Sequence, residues 1–311
     1  TTIANNISGA GNVSASITGT TSDLAVNHTI TLTGGTVNLN ADRNLSVTQA
    51  ISTTNGTDSA VMLVAGKPAS AGTATGGDVM VSGSGSLTAG TNGRVTYMTG
   101  SLAGSAGVGT TPGNNRYNSD EVTTNYTTAL GSGAYTIYRE RPLVTVQINN
   151  ASKTYDGLTF TGGSLSSALT SGSLIGSDTF AALTANATYG GSSQGAKNVS
   201  ATPYVISASD AGGKSALGYG MTYTSGALTI SKANLVLSGT RVYDASTTFS
   251  GQHLTAMGVA GETFTVTGLG DASNLNHKNV QTAQALSSVT GLSLGSSANG
   301  GLSDNYNTLS T

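Results

Sequence analysis

Apolar residues recur in this chain at every second position of short runs, and nowhere at helical spacing. Runs such as His28-Thr29-Ile30-Thr31-Leu32, Thr36-Val37-Asn38-Leu39, Leu45-Ser46-Val47 and Val79-Met80-Val81 alternate in this way. So do Val95-Thr96-Tyr97-Met98 and Leu143-Val144-Thr145-Val146-Gln147-Ile148, and Gly, Asn, Ser or Asp bounds each run. Period-two alternation between turn residues predicts half-buried strands. No window places apolar residues at i, i+3, i+4 and i+7 over three turns. Gly, Thr, Ser and Val, all poor helix formers, interrupt every stretch rich in Ala and Leu. The expected fold class is all-β.

The strands come in two textures. Residues 1–110 contain a single aromatic, Tyr97, and strand starts near Val37, Val61, Val79 and Val95 give a loose period of roughly 16–24 residues. A period of that size points to stacked coils, in which like positions of successive strands lie about 4.8 Å apart. Small aliphatic residues stack well at that spacing, and like charges repel. The expectation is a right-handed parallel β-helix, a solenoid shaft, over 1–110. A segment richer in aromatic and charged residues, 111–141, is placed to cap it, as solenoid ends require.

Beyond residue 141 four landmarks occur twice in the same order. In the first copy they are Lys153-Thr154-Tyr155-Asp156-Gly157, Ser177-Asp178-Thr179-Phe180, Gly195-Ala196-Lys197-Asn198-Val199 and Gly218-Tyr219-Gly220. In the second they are Arg241-Val242-Tyr243-Asp244-Ala245, Gly261-Glu262-Thr263-Phe264, Asn276-His277-Lys278-Asn279-Val280 and Asp304-Asn305-Tyr306. Two small all-β modules, 142–231 and 232–311, are therefore expected, either Ig-like or β-grasp. The first runs on from its late tyrosine to the strand Ala227-Leu228-Thr229-Ile230, whereas the second reaches Thr311 before any counterpart. It is expected to be truncated before its last strand, in a chain cut from something longer.

Lys-x-Tyr-Asp-Gly, then Lys-Asn-Val, then a tyrosine and a Leu-Thr-Ile strand, resembles the YDG/MBG-type repeats of large bacterial surface exoproteins. Arg116-Tyr117-Asn118-Ser119-Asp120-Glu121, with Asn125-Tyr126-Thr127 and Tyr135-Thr136-Ile137-Tyr138, is similar to the junction preceding such repeats in filamentous-haemagglutinin-like exoproteins. Residues 1–110 resemble their Gly/Asn/Thr-rich shaft by texture. Ala245 departs from the pattern, which has Gly after Tyr-Asp. The resemblance implies two-partner secretion through an outer-membrane transporter of a Gram-negative bacterium. It also implies a secreted or cell-surface location and a role in adhesion to a glycan or protein receptor.

Composition narrows the chemistry. Only 8% of residues are charged while 37% are hydrophobic, so the chain lacks the high net charge and low hydrophobicity of disorder. Twelve basic against 14 acidic residues leave no surplus to neutralise phosphates, so nucleic acid is not an expected partner. Apolar runs such as Val61–Ala65 are far too short for a membrane span. With no Cys, disulfides, thiolate metal sites and Cys nucleophiles drop out together. Asn-x-Ser/Thr triplets are no more frequent than so Asn-, Ser- and Thr-rich a chain yields by chance.

The Tyr-Asp pairs are the most prominent candidate residues. Exposed Tyr155 and Tyr243 could stack on sugar rings with Asp156 and Asp244 accepting hydroxyl hydrogen bonds. The favoured reading is structural: tyrosine packs in a small core and aspartate shapes a turn. In that reading Asp156 pairs with Lys197, and Asp244 with Lys278. Asp23, Asp42, Asp58 and Asp78 recur near the strand period and could form a Ca²⁺ column, yet stacked carboxylates repel. They are read as separate turn residues, with no metal or cofactor expected. His28, His253 and His277 sit in no hydrolase motif. Glu121, Glu140 and Glu262, the only glutamates, form no carboxylate pair of the glycosidase kind. The expected function is therefore a non-enzymatic, structural or adhesive shaft and spacer. The alternative is a carbohydrate-binding or polysaccharide-degrading β-helix protein, and a third reading is a passive shaft beneath a toxin or haem-scavenging tip.

Overall fold

A computed structural model describes all 311 residues. The protein is all-β, with a single four-residue α-helix, and its contacts divide it into two compact units. The first comprises Thr1–Gln147, Leu165–Thr188 and Ala208–Thr224; the second comprises Ile148–Ser164, Tyr189–Ser207 and Ser225–Thr311.

In the first unit the alternating runs become successive sets of three short strands. These are β1 (Thr2–Ile3), β2 (Ile7–Gly9) and β3 (Val13–Ile17); then β4 (Leu24–Val26), β5 (Ile30–Leu32) and β6 (Val37–Ala41). Next come β7 (Leu45–Val47), β8 (Ile51–Thr53) and β9 (Val61–Ala65), then β10 (Val79–Val81), β11 (Leu87–Thr88) and β12 (Arg94–Thr99). Every third strand joins the same parallel sheet, giving the orders β1-β4-β7-β10, β2-β5-β8-β11 and β3-β6-β9-β12. The arrangement is β-helix-like.

Register explains the composition. Val13, Val37, Val61 and Val95 stand in one column, and Ile7, Ile30, Ile51 and Leu87 in another. Leu24, Leu45 and Val79 form a third. Val79 thus belongs to a different sheet from Val37, Val61 and Val95, and the loose period read from the four together mixes two columns. Leu39, Leu45, Ile51 and Leu63 are completely buried, each contributing about 1.5–3 kcal/mol of transfer free energy. Asparagines fill the corners: Asn6 and Asn12 accept hydrogen bonds from the backbone N–H groups of Thr29 and Thr36, one set further on.

Residues 111–141 extend the third sheet with β13 (Asn115–Arg116) and β14 (Gly133–Tyr138), in the order β12-β14-β13. Two arginines are buried here. Arg139, fully inaccessible, donates to the Ala65 carbonyl and forms a two-pronged pair with Glu121 at 3.0 and 3.1 Å. Arg116 donates to the carbonyls of Asn115, Gly113 and Thr128 and lies over the rings of Tyr126 and Tyr135. Burial lowers its pKa.

The first copy of the repeat supplies β15 (Leu143–Ile148), β16 (Ala151–Thr154), β17 (Leu165–Ser171), α1 (Phe180–Leu183), β18 (Ala187–Gly190), β19 (Tyr204–Asp210), β20 (Gly220–Thr224) and β21 (Gly226–Ser231). They form two sheets, β17-β15-β20 and β16-β21-β19-β18, with β15·β20 and β16·β21 parallel and β19·β21 antiparallel. The β15·β20 pairs fall in the first unit and the β16·β21 pairs in the second. The second copy forms the antiparallel sheet β22 (Val236–Gly239), β23 (Leu254–Met257), β24 (Thr263–Thr267) and β25 (Ser293–Ser297). It also makes one isolated parallel bridge, Ala233 to Tyr306.

Candidate functional site

The basic-x-Tyr-Asp landmark folds into the same turn twice. Asp156 Oδ1 accepts the Leu158 N–H at 2.9 Å, and Asp244 Oδ1 accepts the Ser246 N–H at 2.9 Å. The residue after each aspartate is left-handed, Gly157 at φ 78° and Ala245 at φ 62°, so alanine keeps the turn that glycine adopts without strain. The basic residue closes the turn from behind. Lys153 Nζ lies 2.6 Å from Asp156 and donates to the Leu158 carbonyl; Arg241 lies 2.7 Å from Asp244 and donates to the Ser246 carbonyl. The Lys153 partner, with the Leu158 amide, lowers the Asp156 pKa.

These pairs correct the expected partners. Asp156 does not pair with Lys197, nor Asp244 with Lys278; each aspartate takes the basic residue three positions before it. A partner within the same turn costs less ordering than one forty residues away. Lys278 is exposed and Lys197 half-buried.

The two turns present their tyrosines differently. Tyr155 is 2% exposed, whereas Tyr243 is 57% exposed. The hydroxyl of Tyr155 donates to Glu262 Oε1 at 2.6 Å, and that of Tyr306 donates to Glu262 Oε2 at 2.7 Å. The two rings meet edge to face, 5.5 Å apart at 81°, a favoured aromatic geometry. Burial, and then the Glu262 carboxylate, push the Tyr155 hydroxyl up to about 12; Tyr306 is raised by the same causes.

The same cluster occurs in the first unit. Tyr117 and Tyr219 both donate to Asp178 Oδ2, at 2.7 and 2.8 Å, with rings 4.7 Å apart at 67°. Burial foremost, with Asp178, raises both hydroxyls. The match reaches the backbone. The late tyrosine's oxygen accepts the N–H three residues before the acid: Ile175 to Tyr219 at 2.9 Å, and Val259 to Tyr306 at 3.0 Å. Asp178 and Glu262 are the acidic members of the acidic-Thr-Phe landmark, and Tyr219 and Tyr306 are the late tyrosines. Two sequence landmarks therefore converge with a tyrosine supplied by the preceding segment, a role the sequence reading did not assign.

The aspartates of the parallel sheets form no column. Asp23 is held by Arg43 at 2.6 Å, which lowers its pKa. Asp42 accepts the Gly19 N–H, Asp58 faces Arg94 at 3.4 Å, and Asp78 accepts the Ser101 N–H. Asp23 and Asp78 do share a corner, preceding β4 and β10, but Asn44 precedes β7 between them and bonds to both. No three His, Asp or Glu side chains gather as metal ligands. His28, His253 and His277 are exposed. Two shallow concavities hold about 300 and 440 Å³, the larger lined in part by Lys67, Asp120 and Glu121. No helix is long and apolar enough to cross a membrane.

The chemistry assembled here is cohesive: hydroxyl to carboxylate, ring to ring, backbone to corner asparagine. In comparisons with known proteins, the chain matches no family model, no curated protein and no solved structure.

Proposed function

We propose that this chain is a non-enzymatic structural segment of a large secreted or surface exoprotein of the filamentous-haemagglutinin-like type. Its parallel sheets act as a right-handed solenoid shaft, and its YDG/MBG-type modules, β-grasp or Ig-like, act as spacers for adhesion. The observation that carries this reading is the recurrence of one tyrosine–carboxylate cluster in both units, built from the same landmarks. A cluster whose hydroxyls bond to a carboxylate, with the late tyrosine's oxygen also taking a backbone N–H, holds segments together. Columns of Val, Ile and Leu with asparagine corners support the shaft in the same sense, since stacking rewards likeness and penalises charge. Export through an outer-membrane transporter and attachment to a surface glycan or protein receptor belong to the same proposal.

Beads coated with the folded chain, tested on arrays of glycans and host surface proteins, check the adhesive part against beads carrying heat-unfolded chain. Specific retention is the expected outcome. Incubation with acidic and neutral polysaccharides checks the rest: release of oligosaccharides would replace a scaffold with an enzyme.

A further inference from the structure

The two clusters show how one segment of this protein grips the next, and one grip is unfilled. In each cluster a tyrosine from the preceding segment enters a socket made of an acidic residue, a late tyrosine and the N–H three residues before the acid. Tyr117 fills the Asp178–Tyr219 socket. Tyr155 fills the Glu262–Tyr306 socket. Tyr243 is the sequence counterpart of Tyr155, on a turn with the same aspartate bond, a basic clamp three residues before the aspartate and a left-handed residue after it, Ala245 in place of Gly157. Its ring is nevertheless 57% exposed.

We propose that Tyr243 is the free half of a joint, and that its partner is a further module of this same repeat. The partner carries an acid before Thr-Phe, a late tyrosine to meet the ring edge to face, and glycine two residues before the acid. The glycine follows from the turn. A Cβ at Gly157 would lie 2.7 Å from the Cβ of Ala260, so Gly157 fits a socket lined by alanine. Ala245 already has that Cβ and needs the smaller residue opposite. The first copy's socket has it: Gly176 stands where the second has Ala260, with φ 56° against 51°. Tyr243 therefore suits a first-copy type of socket, and Tyr155 suits either. The inference goes beyond the adhesion reading, because it concerns how modules join; its test needs no cell or receptor, so either can fail alone.

The test lengthens the protein. Thr311 follows Tyr306 by five positions, as Thr224 follows Tyr219, so a second copy of residues 225–311 placed directly after Thr311 continues the repeat in register. The added copy carries Ala260→Gly. Nitration of Tyr243 by tetranitromethane, followed by peptide mapping, should slow by at least about tenfold in the longer protein relative to the 311-residue chain. Tyr243→Ala should lower the melting midpoint of the added module by about 4 °C or more, and leave the 311-residue chain unchanged. Glu262→Gln in the added copy should restore part of the nitration without touching Tyr243 itself. Nitration of Tyr243 at equal rates in both proteins overturns the proposal, whether the added module docks elsewhere or fails to fold. So does a Tyr243→Ala midpoint shift of the same size in both.

Discussion

Removing one oxygen tests whether the tyrosine–carboxylate cluster holds the second unit together. Tyr155→Phe keeps the ring, which is 2% exposed and packed 5.5 Å from Tyr306, and deletes only the hydroxyl 2.6 Å from Glu262. A hydrogen bond to a charged group contributes about 1.5–3 kcal/mol. Glu262 is half-buried and retains Tyr306 at 2.7 Å, so it is not orphaned and water can reach the vacated oxygen. The lower end, about 1.5 kcal/mol, is expected, a fall of roughly 3–8 °C in the unit's melting midpoint by circular dichroism at neutral pH. Alkaline titration adds an independent readout. The folded chain holds the Tyr155 proton up to about 12, while an unfolded tyrosine releases it near about 10. The folded pKa is the higher, so this contribution is whole below pH 10 and lost as pH rises toward 12. Other buried tyrosines titrate in the same window, so the diagnostic quantity is the difference between wild type and Tyr155→Phe, which should shrink across it. Equal midpoints at neutral pH, with parallel alkaline profiles, would refute the role assigned to the cluster.

Five further substitutions probe separate elements. Ala245→Gly relieves a left-handed alanine and should raise stability by about 0.5–1 kcal/mol after the greater freedom of unfolded glycine is subtracted; denaturant midpoints check it. Asp178→Ala leaves the buried hydroxyls of Tyr117 and Tyr219 without their acceptor and should cost about 3 kcal/mol in the first unit by urea unfolding. Leu39→Ala, in a column with Ala15, Leu63 and Tyr97, should cost about 2–5 kcal/mol, whereas the outward neighbour Asn38→Ala should stay within about 0.5 kcal/mol. Asn44→Asp sets a carboxylate between Asp23 and Asp78 and should destabilise the chain at neutral pH. Repulsion favours the protonated forms, so the loss should recede as pH falls through the carboxylate range, and shrink with salt.

The fold was legible wherever local pattern determines it. Alternation in Val37-Asn38-Leu39 or Leu45-Ser46-Val47 states which side chains turn inward, and that survives in the strands β6 and β7. Stacking order was harder to read, because inserted corners of unequal length separate the strands: residues 66–78 lie between β9 and β10, and the period drawn through Val79 crossed from one sheet to another. The repeat landmarks were visible, but not their convergence. Glu262 and Tyr306 lie 44 positions apart, and Tyr155 a further 107 from Glu262, a relation that no local period encodes. The Lys197 and Lys278 pairings failed for the same reason in reverse. Sequence alignment shows that Asp156 and Lys197 recur together, yet recurrence also follows when each serves its own turn.

The scarcity of charge, finally, has a geometric cause that differs between the two kinds of structure. In parallel stacks a residue meets its own counterpart about 4.8 Å away, and two like charges at that distance repel by about 1–3 kcal/mol at effective dielectrics of about 80 to 20. The corner before β4, β7 and β10 shows the solution: Asp23, Asn44 and Asp78 alternate acid, amide, acid, with Arg43 set against the first. The asparagine doubles the spacing between carboxylates and still bonds to both neighbours. In the repeat copies no counterpart lies one strand away, so acids are tolerated, and each of the two set beside tyrosines is met by two hydroxyls rather than by a cation. Neutral donors satisfy the hydrogen-bonding capacity of the carboxylate but leave its single negative charge in place, so no second charge is needed to complete the joint. A chain extended by such joints therefore adds a lone carboxylate with each one, not a pair of opposite charges.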